Sequence, residues 1–246
     1  MHLLGIDIGG SGIKGALVDT EKGEFVGERH RIPTPQPAKP EPVANVVAEI
    51  IEYFNYEGPI GVTFPAIIQN GIALNAANVD DDFIGTDVSR LIQRATGLPT
   101  VVLNDADAAG IAEMRFGAGQ NQLGTVIILT LGTGIGSAFF RKGVLLPNTE
   151  LGHIYLANGA EAEHYAAERI RGEEDLSWKK WGQRLNEVFQ HIEYIFSPDM
   201  LIVGGGVSKK YDKYFEYIDI KAELVPAQLR NQAGIIGAAL AAQDLA

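Results

Sequence analysis

Two glycine-rich turns, placed about half the chain apart, constrain the fold of this 246-residue sequence more than any other feature. The first is Gly9-Gly10-Ser11-Gly12 and the second is Gly132-Thr133-Gly134. Each lies between two short apolar runs, a pattern typical of two strands joined by a tight turn. Residues 12–16 also align with residues 134–138, and Asp7-x-Gly9 aligns with Thr130-x-Gly132 after a one-residue gap. The sequence therefore predicts an internal duplication, in which each half begins with a β-hairpin and continues as an α/β unit.

Apolar spacing predicts the remaining elements and places the chain in the α/β class. Continuous or alternating apolar runs predict strands at 3–8, 13–19, 25–32, 60–64, 100–103, 126–131, 135–140 and 201–203. Apolar residues at helical spacing predict helices at 43–56, 91–97, 106–116, 178–196 and 233–242. The helix at 178–196 is amphipathic, and its apolar face fits either the core or an interface.

Composition excludes several classes of function. The chain has no cysteine, which rules out disulfides, a thiol nucleophile and cysteine-ligated metal sites. Its net charge of −11 argues against a nucleic-acid partner. No apolar run is long enough to cross a membrane, and the first residues lack the pattern of a signal peptide. We therefore expect a cytoplasmic protein with no membrane or nucleic-acid partner.

The glycine turns fit two interpretations. Glycine adopts positive φ and leaves room for a ligand, so the backbone N–H groups of such a turn can form a nest for phosphate. Alternatively, both are plain hairpin turns. The hydroxyls of Ser11 and Thr133 lie at matching places and favour phosphate binding. A dinucleotide-binding fingerprint does not fit, because the first turn leads into a strand at Ile13 and not into a helix.

Two acidic positions close to predicted strand ends are candidates for chemistry. Asp7 precedes the first turn, where a carboxylate beside phosphates would hold Mg²⁺ through water or would cap the turn. Asn104-Asp105 follows a buried strand and precedes a helix. Ligands of open α/β sheets bind at such strand ends, so Asp105 is a candidate general base. A helix N-cap explains the same pair equally well.

A compact polar cluster follows in the second half. Glu150 and His153 could bind the hydroxyls of a polyol, although a lone histidine is more often structural. Glu161 and Glu163 open a predicted helix, where the helix dipole alone accounts for acidic residues. Two basic clusters form either a local positive track or a solvated surface: Lys179, Lys180 and Arg184 in one, and Lys209, Lys210 and Lys213 in the other.

Five segments, read together and in order, resemble the ROK sugar-kinase family. They are residues 7–15, 104–105, 131–137, 150–153 and 204–208, and they extend over nearly the whole chain. Segments 63–66, 147–153 and 197–199 are further similar to the family members that use inorganic polyphosphate to phosphorylate glucose. No single segment is specific, but the ordered set is.

The resemblance implies an α/β fold of two actin-like, ribonuclease H-like domains with a cleft between them. We expect one domain at 1–105 plus 230–246 and the other at 106–229. The implied catalytic base is Asp105, and the implied sugar ligands are Asn104, Asp105, Glu150, His153 and Glu163. The expected magnesium ligand is Asp7, through water. The residues expected to bind the phosphate donor are Gly9, Gly10, Ser11, Gly12, Lys14, Gly132, Thr133, Gly134, Gly205, Gly206 and Lys209.

The chain departs from the family in one respect. Many members carry a cysteine-rich zinc motif after the Glu-x-Gly-His segment, with that histidine as a zinc ligand. This chain has no cysteine. We therefore expect no zinc site here, and we expect packing to hold the loop of His153 in place of zinc.

The implied reaction transfers the terminal phosphoryl group of inorganic polyphosphate, with ATP as a further donor, to the 6-hydroxyl of glucose. Mg²⁺ is the implied cofactor, and a homodimer is the implied assembly. One alternative is a strictly ATP-dependent hexokinase of the same family. A more remote alternative is a sugar sensor without catalytic activity.

Overall fold

The computed structural model describes all 246 residues, from Met1 to Ala246. Thirteen strands are present: β1 (His2–Gly9), β2 (Gly12–Asp19), β3 (Glu24–Phe25), β4 (His30–Ile32), β5 (Ile60–Phe64), β6 (Ile68–Gln69), β7 (Ile72–Ala73), β8 (Thr100–Asn104), β9 (Thr125–Leu131), β10 (Ile135–Arg141), β11 (Val144–Leu146), β12 (Met200–Gly204) and β13 (Glu223–Pro226). Seven α-helices are present: α1 (Pro40–Phe54), α2 (Val88–Thr96), α3 (Asp105–Phe116), α4 (Ala162–Ala166), α5 (Glu168–Glu173), α6 (Trp178–Phe196) and α7 (Ala233–Ala241). Short 3₁₀ turns join them, the longest at Gly206–Lys213.

The chain divides into two compact units. Unit 1 comprises Met1–Ala112 and Gln232–Ala246, and unit 2 comprises Glu113–Asn231. The boundaries expected from the sequence, after residues 105 and 229, stay a prediction.

Each unit contains a five-strand path with the same topology. In unit 1 the order is β3-β2-β1-β5-β8, and in unit 2 it is β11-β10-β9-β12-β13. The second strand of each path is antiparallel to the third, and the last two strands run parallel to the third. Ile8 pairs with Ile13 in unit 1, and Leu131 pairs with Ile135 in unit 2. The predicted duplication is therefore confirmed, and its one-residue gap lies inside the turn.

Helices cover both faces of the sheet in unit 1. Leu4, Ile6 and Ile8 of β1 share a core with α1 and α2. Gly5 lies between them in sequence and faces the other side, because side chains alternate along a strand. A Cβ at Gly5 would stand 2.0 Å from the carbonyl oxygen of Ile235, and a Cβ at Gly61 of β5 would stand 1.7 Å from that of Ala238. These glycines allow α7, a helix of small residues, to pack directly on the backbone of the sheet.

The core of unit 2 lies between its sheet and α6. Five α6 side chains are fully buried there, against β9 and β12: Trp181, Leu185, Val188, Phe189 and Ile192. The bounds of α6 agree with those expected from its apolar period. Its apolar face thus belongs to the core, while Tyr194 and Ile195 near its end stay exposed.

The prediction of one continuous strand at 25–32 is wrong. Two short strands, β3 and β4, pair separately with β2. Gly27 lies between them with a φ of 88°, in the left-handed region, and this conformation interrupts the extended backbone. The other predicted elements are present with shifts of a few residues at their ends. None of the helices combines the length and the apolar character that a bilayer crossing demands.

Candidate active site

The first glycine turn is held through its carbonyl oxygens. Arg31 donates to the Ser11 oxygen at 2.7 Å, Gln36 donates to the Gly10 oxygen at 3.3 Å, and the Thr34 hydroxyl donates to the Gly9 oxygen. The backbone N–H groups of Gly10 and Ser11 have no acceptor in the protein. The segment at 31–36 therefore occupies the carbonyl side of the turn and leaves two donors for an anion.

The expectation that these glycines supply positive φ is wrong. No glycine of either turn has φ in the left-handed region. Close approach accounts for glycine at two positions of the first turn instead. A Cβ at Gly10 would stand 2.8 Å from the Cβ of Asn78, and a Cβ at Gly12 would stand 2.5 Å from Nε of Arg31.

The second glycine turn is held by two charged side chains. Arg169 donates through its backbone N–H to the Gly132 oxygen at 3.0 Å, and through Nε to the Thr133 oxygen at 3.1 Å. Glu163 accepts from the N–H of Ile135 at 2.9 Å. A Cβ at Gly134 would stand 2.1 Å from Oε2 of Glu163, so any other residue there would displace this carboxylate. The N–H groups of Thr133 and Gly134 have no protein acceptor, so this turn also presents two free donors.

Asp7 stands beside the first turn, on β1 opposite Lys14 of β2. Lys14 Nζ donates to Oδ2 of Asp7 at 3.0 Å, and the hydroxyl of Thr63 donates to Oδ1 at 2.9 Å. The Asp7 side chain keeps 27% of its surface exposed. Two donors leave part of the acceptor capacity of a carboxylate unused, so Asp7 can also bind water or a cation.

Asn104 ends β8 and is the N-cap of α3. Its Oδ1 accepts from the N–H groups of Ala106 at 2.8 Å and Asp107 at 3.2 Å, and its amide donates to the Ala66 oxygen at 3.0 Å. The capping role that the sequence left open for the pair thus belongs to Asn104. These bonds also hold the backbone that carries the next residue, Asp105.

Asp105 begins α3 and is accessible to solvent. Its Oδ1 accepts from the N–H of Ala106 at 2.8 Å, and no protein donor reaches its Oδ2. Desolvation by the surrounding protein, followed by repulsion from the negative charge of Asp7, raises the pKa of Asp105 to about 6. A carboxylate with such a pKa is a better proton acceptor near neutral pH than an ordinary aspartate.

The polar cluster of unit 2 is centred on His153. Its Nδ1 is 2.5 Å from Oε1 of Glu161, and its Nε2 is 3.9 Å from Oε2 of Glu150. The hydrogen bond to Glu161 is the main cause that raises the pKa of His153. The second oxygen of Glu161 lies 3.1 Å from Nδ1 of His164.

Sequence reasoning missed Glu161, because it assigned the residue to the helix dipole. Glu161 makes no capping bond with its side chain and binds two histidines instead. A side-chain hydrogen bond therefore adds to the packing that was expected to hold the loop of His153. The sequence did contain a signal for this partner. A histidine that has no zinc site to orient it needs another group to do so, and Glu161 is an acidic residue close to it in sequence.

The predicted sugar ligands fall in both units. Unit 1 contains Asn104 and Asp105, together with Asp7 and Lys14. Unit 2 brings Glu150, His153 and Glu161 together, and Glu163 lies under the second glycine turn.

The third glycine turn joins β12 to the 3₁₀ segment Gly206–Lys213. Gly205 has a φ of 82°, and a Cβ there would stand 2.1 Å from the Leu131 oxygen. Its own oxygen accepts from the Ser208 hydroxyl at 2.8 Å. Gly206 borders open space, and Lys209 follows as an exposed side chain.

The two basic clusters have different partners. Arg184 binds Oε2 of Glu174 at 2.5 Å and the Tyr165 oxygen at 3.1 Å, so it is not part of a free positive track. No ion pair engages the five lysines, which are Lys179, Lys180, Lys209, Lys210 and Lys213.

Two sheets of one topology, each with a glycine turn that presents free N–H groups, define an α/β protein of the actin-like type with sites suited to phosphate. The raised pKa of Asp105 adds a proton acceptor at a strand end. The chain belongs to the ROK family, whose model matches residues 3–169.

Three relatives illustrate the similarity. The polyphosphate glucokinase of Mycobacterium tuberculosis (strain CDC 1551 / Oshkosh) is 47% identical over 241 residues, which cover 98% of this chain and 91% of the relative. The polyphosphate glucokinase of Mycobacterium leprae (strain TN) is 45% identical over 238 residues, 96% of this chain and 73% of the relative. The crystal structure of an inorganic polyphosphate/ATP-glucomannokinase from Arthrobacter sp. strain KM has a TM-score of 0.93 and 48% identity, and the match covers 100% of this chain and 99% of that one.

Proposed function

We propose that this chain transfers the terminal phosphoryl group of inorganic polyphosphate to the 6-hydroxyl of glucose, with ATP as a second donor. The observation that carries the proposal is the 47% identity to polyphosphate glucokinase over 98% of the chain. The Arthrobacter enzyme is named an inorganic polyphosphate/ATP-glucomannokinase. The name states two phosphate donors and two sugars, glucose and mannose. This supports ATP as an additional donor and mannose as a second sugar.

Asp105 is the proposed base. Its Oδ2 accepts the proton of the sugar 6-hydroxyl while that oxygen attacks the terminal phosphorus. The bond from phosphorus to the bridging oxygen breaks, and a chain shorter by one phosphate leaves. The two bonds of Asn104 to the start of α3 position the base, since they hold the backbone of residues 105–107.

The glycine turns are the proposed phosphate sites. Gly9, Gly10, Ser11 and Gly12, with Gly132, Thr133 and Gly134, would donate backbone N–H groups to the phosphate oxygens. Gly205, Gly206 and Lys209 would extend this donor site, and Lys14 would balance the charge near Asp7. Fixed donors of this kind stabilise the charge of a transferring phosphoryl group, which is most of what phosphoryl transfer requires.

Magnesium fits the residues present. No group of three or more histidine or acidic side chains forms a cage for a metal. Mg²⁺ is usually held by one or two carboxylates together with phosphates and water, so a cage is not needed. The partly exposed Asp7 is the proposed ligand, through water. Bound there with the donor, the ion would neutralise charge on the phosphates.

The sugar is the proposed ligand of Asn104, Asp105, Glu150, His153 and Glu163. Carboxylates accept hydrogen bonds from hydroxyls, and the imidazole both donates and accepts. His153 is held by Glu161 and points its other nitrogen in the direction of Glu150, which suits a pair of neighbouring hydroxyls. A homodimer and a location in the cytoplasm stay predictions.

The test is glucose 6-phosphate formation with Mg²⁺ and a single donor, either long-chain polyphosphate or ATP. We expect turnover with both and a higher kcat/KM with polyphosphate. Turnover with ATP alone would remove polyphosphate as a substrate and leave an ATP-dependent hexokinase. Asp105→Asn is the matched variant, and we expect it to lose turnover with both donors.

A further inference from the structure

One indole ring in unit 2 is surrounded by three cations. The Arg171 guanidinium carbon is 4.2 Å from the ring centre of Trp178, Lys213 Nζ is 5.6 Å away, and Lys210 Nζ is 5.7 Å away. These four residues are called the Trp178 patch below. They come from α5, α6 and the 3₁₀ segment at Gly206–Lys213, so tertiary packing brings them together.

The ring at the centre of the patch is rigidly supported. Trp178 stacks on Tyr214 with a centroid separation of 6.0 Å, and Trp181 meets both rings edge-on. Tyr214 and Trp181 are fully buried. The cations are therefore arranged around a fixed aromatic surface, which attracts them through its electron-rich face.

The positive charge of the patch is only partly balanced by its neighbours. Lys210 and Lys213 are exposed and have no ion pair. Arg171 donates through Nη2 to Oε1 of Glu168 at 3.2 Å and forms an ion pair with it, while its buried Nε has no hydrogen-bond acceptor. Two nearby acidic side chains bind other arginines: Glu173 binds Arg169, and Glu174 binds Arg184. Asp175 and Asp212 have no ion pair. In a protein with a net charge of −11, such a patch is a local exception.

The patch continues from the third glycine turn. The 3₁₀ segment starts at Gly206 and contains Lys209, Lys210 and Lys213. The backbone of Lys210 is not helical and kinks this segment, so its three lysines are not on one straight helix. The segment leads from the proposed donor site to the Trp178 patch. A long phosphate chain can follow it further than the three phosphates of ATP.

We propose that the Trp178 patch binds the distal phosphates of long inorganic polyphosphate while the terminal phosphate occupies the transfer site. This proposal rests on the proposed function. Contacts with distal phosphates are the same before and during phosphoryl transfer, so they lower KM for long chains and leave kcat unchanged. They also make the KM for long chains depend on salt, because each contact releases counterions.

The kinetic test compares long-chain polyphosphate, tripolyphosphate and ATP as donors. We expect Lys210→Gln/Lys213→Gln to raise KM for the long chain about tenfold and to lower the slope of log KM against log salt by about one to two. KM for tripolyphosphate and for ATP should change less than twofold. Lys142→Gln/Lys221→Gln is the matched control, since both of its lysines are exposed, unpaired and in the same unit. An equal rise for all donors, or no rise for the long chain, would overturn the proposal.

A binding test separates this proposal from the proposed function. Long-chain polyphosphate is titrated into the protein without glucose, and tryptophan fluorescence is recorded. Trp178→Phe should abolish the change, and the buried Trp181 reports whether the variant is folded. If no polyphosphate supports turnover but the Trp178 response remains, the function fails and the site stands. A response that survives in Trp178→Phe, or equally tight binding of a single-stranded RNA of similar length, would overturn a polyphosphate site.

Discussion

His153 and Glu161 are joined by a hydrogen bond of 2.5 Å between Nδ1 and Oε1. A neutral imidazole that donates from Nδ1 to a carboxylate keeps Nε2 as an acceptor, and its ring orientation is held. This hydrogen bond orients the histidine of the Glu-x-Gly-His segment in a chain that has no cysteine.

Glu161→Gln should weaken sugar binding more than turnover. Without the carboxylate the pKa of His153 falls toward its ordinary value, and the ring is free to turn. We expect KM for glucose to rise and kcat to change less, together with a lower titration midpoint of His153 in NMR.

The same substitution should change how stability depends on pH. The raised pKa of His153 stabilises the folded protein below the unfolded pKa of about 6.5, and this stabilisation is lost as pH rises through the folded pKa. The stability difference from wild type should therefore vanish at higher pH. His164→Gln is the control, and an equal effect there would contradict a specific role of the pair.

Asp105→Asn should remove most activity and leave the fold intact. Loss of a general base costs on the order of 10²–10⁴ in rate. The substitution also removes a charge that is desolvated and repelled by Asp7, so the melting temperature at pH 8 should equal or exceed that of the wild type. The measurements are glucose 6-phosphate formation and thermal unfolding. Wild-type turnover in this variant would show that another group accepts the proton.

The pH dependence of kcat/KM should report Asp105. The base must be ionised to accept a proton, and its pKa is raised to about 6. We expect kcat/KM to be level above this value and to fall about tenfold per unit below it. Asp7→Asn removes the repulsion but not the desolvation, so the acidic limb should move to lower pH in that variant. A limb that stays in place in Asp7→Asn would rule out electrostatic coupling between the two residues.

Gly134→Ala should damage the second glycine turn. The new methyl group would displace the carboxylate of Glu163 from the N–H of Ile135. Strain of this kind costs about 1–3 kcal/mol of folding free energy. We expect a lower denaturation midpoint and a higher KM for the phosphate donor. Gly172→Ala on α5 is the control, because nothing lies within 4 Å of its Cβ position. Equal stability of the two variants would contradict the contact.

Much of the fold follows from local sequence patterns. The alternation of β1 and β2 around a glycine turn, and its repeat in β9 and β10, predicts both hairpins and the duplication. The apolar period predicts the bounds of α6. The strand expected at 25–32 fails because Gly27 adopts a left-handed φ, which a single glycine inside an apolar pattern does not reveal.

The candidate site was predictable in part. Strand ends and glycine turns mark Asp7, Asp105 and the two turns proposed to bind phosphate, since each depends on a short stretch of chain. The partners of these residues were not predictable. Nothing in a local pattern indicates that Arg169 binds the oxygens of the second turn, or that Lys14 pairs with Asp7.

The sequence alone determined most of the longer strands and helices, the duplication and the positions of the acidic and glycine residues, because these depend on periodicity and on the conformations open to each residue. Tertiary structure decided which charges meet. The sequence indicated only that Glu161 lies at a helix start, whereas the structure shows that it binds His153. The sequence placed Arg184 in a basic cluster, whereas the structure shows that it binds Glu174. The members of these two pairs are eight and ten residues apart and lie on different elements, so no periodic pattern within one element indicates that their side chains meet.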